Sequence, residues 1–127
     1  MKNEKLPETV HRSFTEVFND HLRLSEIGDF EADLRRNFST DIVVLMENKI
    51  HRGHEAVREL ARRLLRELPN GKYQNTTILL DEEMGMLEWK AQSKKTEVRD
   101  GVDSYLFRDG KIIAQTIRYT VTKIQNA

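Results

Sequence analysis

The chain has 127 residues, 38% of them hydrophobic and 33% charged, with acidic and basic side chains in equal number. That length fits a single domain with one core, residues 1–127, and zero formal net charge offers no global field to nucleic acid or to an anionic membrane. The absence of cysteine excludes disulfides, thiolate catalysis and cysteine-type zinc sites.

In chain order, residues 1–5 lack the apolar run of a secretory signal and read as a disordered tail. No stretch approaches the roughly 20 apolar residues of a membrane span. The expectation is a soluble, cytoplasmic protein. From about Leu6 to Ile27, apolar residues recur at three- and four-residue steps (Leu6, Val10, Phe14, Val17, Phe18, Leu22, Ile27), which predicts an amphipathic helix with Pro7 in its first turn. Gly28 stops it and Asp29 caps a short second helix marked by Phe30, Leu34 and Phe38. Ser39-Thr40-Asp41 reads as a break.

Ile42–Met46 is β-branched-rich and predicts a strand. Glu47-Asn48-Lys49 reads as a turn and Ile50-His51 as a brief strand. A third helix is expected from about His54 to Leu68, striped by Val57, Leu60, Ala61, Leu64 and Leu65 and stopped by Pro69-Asn70-Gly71. Arg58, Arg62, Arg63 and Arg66 give this helix a basic side. Glu55, Glu59 and Glu67 interleave with them, which predicts an ion-paired, solvated face rather than one for RNA. Tyr73–Leu80 and Met86–Gln92 follow as strands. A hairpin from Gly101 to Val121 turns at Asp109-Gly110. Helices first and strands afterwards imply an α+β domain with helices on one face of an antiparallel sheet.

Strand parity sets Gly101, Asp103, Tyr105 and Phe107 on one hairpin face, and Ile113, Gln115, Ile117, Tyr119 and Val121 on the matching face of its partner. Asp103 and Gln115 are then polar groups on an inward surface, and Tyr119 adds a hydroxyl. A buried acid is costly unless it is hydrogen-bonded, neutralised or put to use. Asp103 is therefore the leading candidate for chemistry; the alternative is a solvated carboxylate near a strand end. Trp89 shares parity with Leu87 and Ala91, as core or as pocket wall. Met46, Met84 and Met86 can line an adaptable apolar cavity. His21 follows Phe14, Val17 and Phe18 at the edge of the helical stripe. His51 and His54 flank Arg52-Gly53 without a ligand-like spacing, and no metal site is expected.

Four landmarks occur in order: Ile27-Gly28-Asp29-Phe30, Phe38-Ser39-Thr40-Asp41-Ile42-Val43, Arg52-Gly53-His54-Glu55-Ala56-Val57, and Val102 to Ile112. With them the chain resembles the nuclear transport factor 2-like superfamily, and within it the SnoaL-like and ketosteroid isomerase-like proteins, over roughly Phe14 to Val121. The resemblance implies a cone-shaped α+β barrel, a curved antiparallel sheet wrapped around a long N-terminal helix with two further helices. It also implies a homodimer packed through the sheet. Asp103 falls where ketosteroid isomerase has a protonated oxyanion-hole aspartic acid; in SnoaL-like cyclases an aspartate in this region resembles the general base. His21 falls at the isomerase's oxyanion-hole tyrosine. Met46 falls where the isomerase has its proton-shuttling aspartate, and a thioether takes no proton from carbon.

Two readings follow. One is a cofactor-independent isomerase, cyclase or lyase acting on an apolar, carbonyl-bearing molecule, with Asp103 and His21 catalytic and Phe18, Met46, Trp89, Tyr105, Gln115 and Tyr119 holding the ligand. The other is a non-catalytic ligand-binding or dimerisation module with the same pocket. A protein-interaction role would need an exposed apolar patch beyond the dimer face.

Overall fold

A computed structural model describes residues 12–125. Three helices precede or interrupt seven strands: α1 Phe14–Ile27, α2 Phe30–Asn37, β1 Phe38–Met46, β2 Lys49–Arg52, α3 His54–Glu67, β3 Lys72–Asp81, β4 Met84–Gln92, β5 Thr96–Arg108, β6 Lys111–Arg118 and β7 Thr122–Lys123. The strands form one curved, unclosed sheet in the order β2-β1-β6-β5-β4-β3, with β7 on β5. Every pairing is antiparallel except β1 with β6, which run parallel. The cone-shaped α+β fold is thus present, with a mixed rather than purely antiparallel sheet. No helix among the described residues is long and apolar enough to cross a membrane.

Helix α1 begins later than its stripe suggested. Ser13 caps it through a capping box with Glu16, so the first helical residue is Phe14. Leu6, Pro7, Val10 and the tail at residues 1–5 lie outside the described residues. Val17 and Phe18 are fully buried, and Phe14 stacks on Phe107 with ring centroids 4.7 Å apart. Ile27, read as part of the stripe, is exposed.

Ser39-Thr40-Asp41 does not break the chain; it is strand. Helix α2 passes into β1 at Phe38 without a linker, and an irregularity between Phe38 and Val43 absorbs the mismatch with β6. A second irregularity, at Leu106/Phe107, pairs Phe107 with Ile112. The parity count is correct at Gln115 and Ile117 but slips by one further back, so Ile112 is the fully buried residue and Ile113 is not.

The hairpin turn is where expected, with Asp109 and Gly110 both at positive φ. The last strand ends sooner. Asp100 accepts hydrogen bonds from the Thr120 amide (2.9 Å) and hydroxyl (2.8 Å), which takes that amide out of the ladder. Tyr119 therefore lies just past β6, not in it.

The core sits between α1, α2, α3 and the concave sheet face: Phe14, Val17, Phe18, Leu34, Phe38, Ile42, Val44, Leu60, Leu87, Trp89, Tyr105, Phe107 and Ile112. On α3, arginines and glutamates pair as expected. Arg58 binds Glu31 of α2 through Nε (2.7 Å) and Nη2 (2.9 Å), and Arg63 binds Glu47.

Phe18 has no exposed surface. Phe18→Ala should therefore cost about 3–5 kcal/mol in urea denaturation. A loss below about 1 kcal/mol would mean that α1 is not the central helix of the core.

Candidate functional site

Asp103 lies on β5, the longest strand, in a cross-strand row of otherwise apolar residues. Its direct neighbours are Ile117 on β6 and Leu87 on β4. Leu45 pairs with Thr116, which sets Met46 beside Ile117 and extends the row. Nothing in this row can donate a hydrogen bond to the carboxylate. The donors come from the flanking rows of the same face. Trp89 and Gln115 are the diagonal neighbours, and Tyr105 is two residues along β5.

Trp89 Nε1 donates to Asp103 Oδ1 at 2.8 Å. Tyr105 Oη and Gln115 Nε2 donate to Oδ2 at 3.0 and 2.9 Å. Asp103 is 5% exposed, which rules out the solvated reading. Burial pushes its pKa up to about 6, although the three donors and the His21 charge act the other way. Burial and the adjacent carboxylate push the Tyr105 phenol well above its usual range, so it stays a neutral donor.

The indole reaches Asp103 because Gly101 pairs with Trp89 and leaves its space empty. A Cβ on Gly101 would come within 2.3 Å of the Trp89 ring. Trp89 also packs against Tyr73 and Tyr119, each at 5.5 Å between ring centroids. Tyr119 gives its hydroxyl to Glu67 rather than to Asp103, and burial with that carboxylate raises its pKa above the usual phenol range.

His21 does not bond to Asp103. Its Nδ1 lies 2.7 Å from Asp33 Oδ2, and Asn37 Nδ2 donates to the other Asp33 oxygen at 2.8 Å. The imidazole packs against Phe38 (5.2 Å), Tyr105 (5.9 Å) and Phe18 (6.0 Å). Burial alone would lower its pKa, but the Asp33 charge and hydrogen bond outweigh burial and raise it. Asp20, the neighbouring acid of α1, is disfavoured as a charge by burial. Hydrogen bonds from Arg36, Arg23 and Asn37 overcome this and hold it at about 2.

The structure thus gathers Asp103, Trp89, Tyr105 and Gln115 by hydrogen bonds, with Phe18 edge-on to Tyr105 at 5.2 Å and Tyr119 against Trp89. It sets His21 behind Tyr105, on a different carboxylate. Met46 belongs elsewhere: with Ile117, Tyr119, Leu45, Lys49 and Ile50 it lines a cleft of about 690 Å³ at the β1–β2 turn and the end of β6. Asp103 does not line that cleft. His54 donates to or accepts from nothing catalytic; its Nε2 is 3.0 Å from the Phe38 carbonyl. Among the described residues no group of three or more histidine and acidic side chains is placed to hold a metal.

Asp33 and Asn37 were missed in the sequence. They occupy the i+3 and i+7 positions from Phe30, so they interrupt the apolar stripe of α2, the signal that marked Asp103 in the hairpin. Gly101 was visible only as a parity neighbour of Asp103.

The sequence profile of the SnoaL-like domain matches residues 11–115. The curated proteins give no match. Among solved structures, a nuclear transport factor 2-like protein from Burkholderia xenovorans LB400 superposes with a TM-score of 0.69 at 17% identity, covering 89% of this chain and 84% of that one. A candidate polyketide cyclase from Sinorhizobium meliloti gives 0.66 at 17% identity, with 81% and 94% covered. A de novo designed protein with a curved β-sheet gives 0.69 at 16% identity, with 91% and 88% covered. At these identities the structural likeness establishes the fold.

Two outcomes test the Asp103 cluster. Gly101→Ala should push Trp89, the sole tryptophan, off Asp103, shift its fluorescence to the red and cost about 1–3 kcal/mol. Unchanged emission would refute the close approach. The second concerns pH. Folding raises the Asp103 pKa from 3.8 to about 6, so the native state binds a proton that the unfolded chain releases. Its contribution is fully present below pH 3.8 and is lost as pH rises through 6, a loss of about 3 kcal/mol. Asp103→Asn should remove this slope, so the variant gains on wild type between pH 4 and 7 in thermal denaturation. Parallel curves would overturn the assignment.

Proposed function

We propose, for a chain that belongs to the SnoaL-like domain family, that it binds a small apolar, carbonyl-bearing molecule and moves a proton on it with Asp103, without a cofactor. One observation carries this reading: Asp103 is a buried carboxylate held by three donors with an acceptor site to spare, and that burial raises its pKa to about 6. An ionised carboxylate has about four acceptor sites, and three donors fill three of them. A general base works best when its acidity lies close to the working pH, and such a group contributes typically ~10²–10⁴-fold.

In this reading Asp103 takes a proton from the carbon next to the carbonyl. The electron pair moves into the enolate, whose oxygen needs a donor; we assign that role to His21, which a ligand bound at Asp103 meets only by passing the Tyr105 ring. Neutral Asp103 then returns the proton at a second position or to a newly closed ring. Tyr105, Gln115 and Trp89 hold the carboxylate and do not titrate with it. Met46 and Ile117 close the cleft next to Asp103, and the ligand reaches the acid by displacing them; the flexible thioether suits that movement.

The observation that Asp103 does not line the cleft supports a second reading, a binding module in which the acid only ties the sheet together. Proton exchange in heavy water separates the two. With a panel of aromatic and alicyclic ketones, wild type should exchange α-protons at a rate that rises through pH ~6, and Asp103→Asn should not. Ligand-induced thermal shifts without exchange would leave the binding module standing.

The outer face of the sheet carries Leu79, Met84, Leu106, Leu45 and Ile50, all partly or largely exposed in the single chain. Leu79, Met86, Ser104, Thr116, Leu45 and Ile50 follow one another across it in register. We take this face as the contact of a cytoplasmic homodimer. Light scattering should give twice the 14.9 kDa chain mass for wild type and the single mass for Leu79→Asp/Met84→Asp; a monomeric wild type would reject the dimer.

A further inference from the structure

His21 and Asp33 form a second acid–base pair, on the helical side of the core, that the Asp103 cluster does not use. Asp33 is 5% exposed and Asn37 is fully buried. A carboxylate only accepts hydrogen bonds, so at 2.7 Å the proton between them sits on His21 Nδ1. Asn37 holds the second Asp33 oxygen, and its own oxygen accepts from Arg12 Nη2 at 3.0 Å. The acid is thereby fixed on both sides. The ring is fixed as well, with Phe38 at 82° and Tyr105 at 63° to its plane. His21 Nε2 has no hydrogen-bond partner among the described residues, and the side chain keeps 14% exposure.

We propose that Asp33 is the residue that positions His21: it takes the Nδ1–H bond, locks the ring between Phe38 and Tyr105, and leaves Nε2 as the nitrogen that meets a ligand oxygen. The charges facing His21 are Asp33 from α2, Asp20 from its own helix, and Asp103 from β5 behind the neutral Tyr105. Phe38 is what β1 presents to it. Asp20 is already paired with Arg36, Arg23 and Arg12. Asp33 is therefore the acid that decides the proton state of the ring, and it favours the imidazolium. In that state Nε2–H is an open donor for a developing oxyanion, and His21 is not a competing base. The catalytic consequence rests on the function proposed above; the positioning itself does not.

Nitrogen-resolved NMR of the histidines in wild type tests the positioning without any substrate. Nδ1 of His21 should stay protonated across the titration, Nε2 should carry the change, and the midpoint should lie above the ordinary histidine value of 6.5. A neutral ring protonated on Nε2, or a midpoint below that value, would overturn the proposal. Asp33→Asn should lower the midpoint and Asp33→Glu should restore part of it, which a merely structural defect would not do. In the exchange assay, Asp33→Asn should slow wild-type exchange about 10-fold or more. Exchange present in wild type but unchanged in a folded Asp33→Asn would refute the catalytic consequence. Exchange absent from wild type would remove the proposed function and leave the NMR result to stand alone.

Discussion

A carboxylate buried in a row of aliphatic side chains has to find its hydrogen bonds sideways. Asp103 meets Ile117 and Leu87 directly across the strands, so its partners come from residues before and after that row. This constraint explains several otherwise unrelated choices. Trp89 lies flat over Gly101 because that is how an indole on β4 reaches β5. Tyr105 turns its hydroxyl back along its own strand, and its ring becomes the wall between Asp103 and His21. Gln115 stands in a core position where an aliphatic residue would leave one carboxylate oxygen a donor short. The register of three strands is fixed by one acid, since a slip of one residue would turn its donors to the opposite face.

The helical side solves the same problem independently. Asp33 and Asn37, one turn apart on α2, bring polar groups onto a face that periodicity reserves for the core. Each acid there has its own cation, Asp20 the arginines and Asp33 the histidine, and Asn37 donates to both. The two polar clusters approach each other at Tyr105 without merging. A phenol that stays neutral transmits contact but no proton, so the charge on one side shapes the other through space alone.

How far the sequence speaks depends on whether a feature is local. Asp103, Gln115 and Ile117 were placed on one face because alternation within a strand is a local rule, and the Asp109-Gly110 turn follows from residue type. Ile113 was placed inward in the position Ile112 takes because an irregularity shifts parity by one, and nothing in the residues around Leu106 or Phe107 announces it. Ser39-Thr40-Asp41 is rich in turn-forming side chains, yet it runs on as strand, in the irregular stretch between the Phe38 and Val43 pairings with the distant β6. The Asp100–Thr120 contact that ends β6 is likewise a meeting of distant residues. The pairing of His21 with Asp33 comes from the packing of α1 on α2, and no local pattern announces it.

The parallel seam between β1 and β6 has a consequence for how the chain comes to be folded. β1 emerges early and β6 late, so everything from Phe38 to Arg108 must exist before the seam can close. Until then the N-terminal helices, β1 and β2 have an unpaired strand edge and an uncovered apolar face. Closing so long a loop is slow, and contacts so distant in sequence delay folding more than they weaken the final state. On the ribosome, then, the nascent chain stays sticky almost to its end, and one late strand both completes the sheet and delivers Gln115 to the acid at its centre.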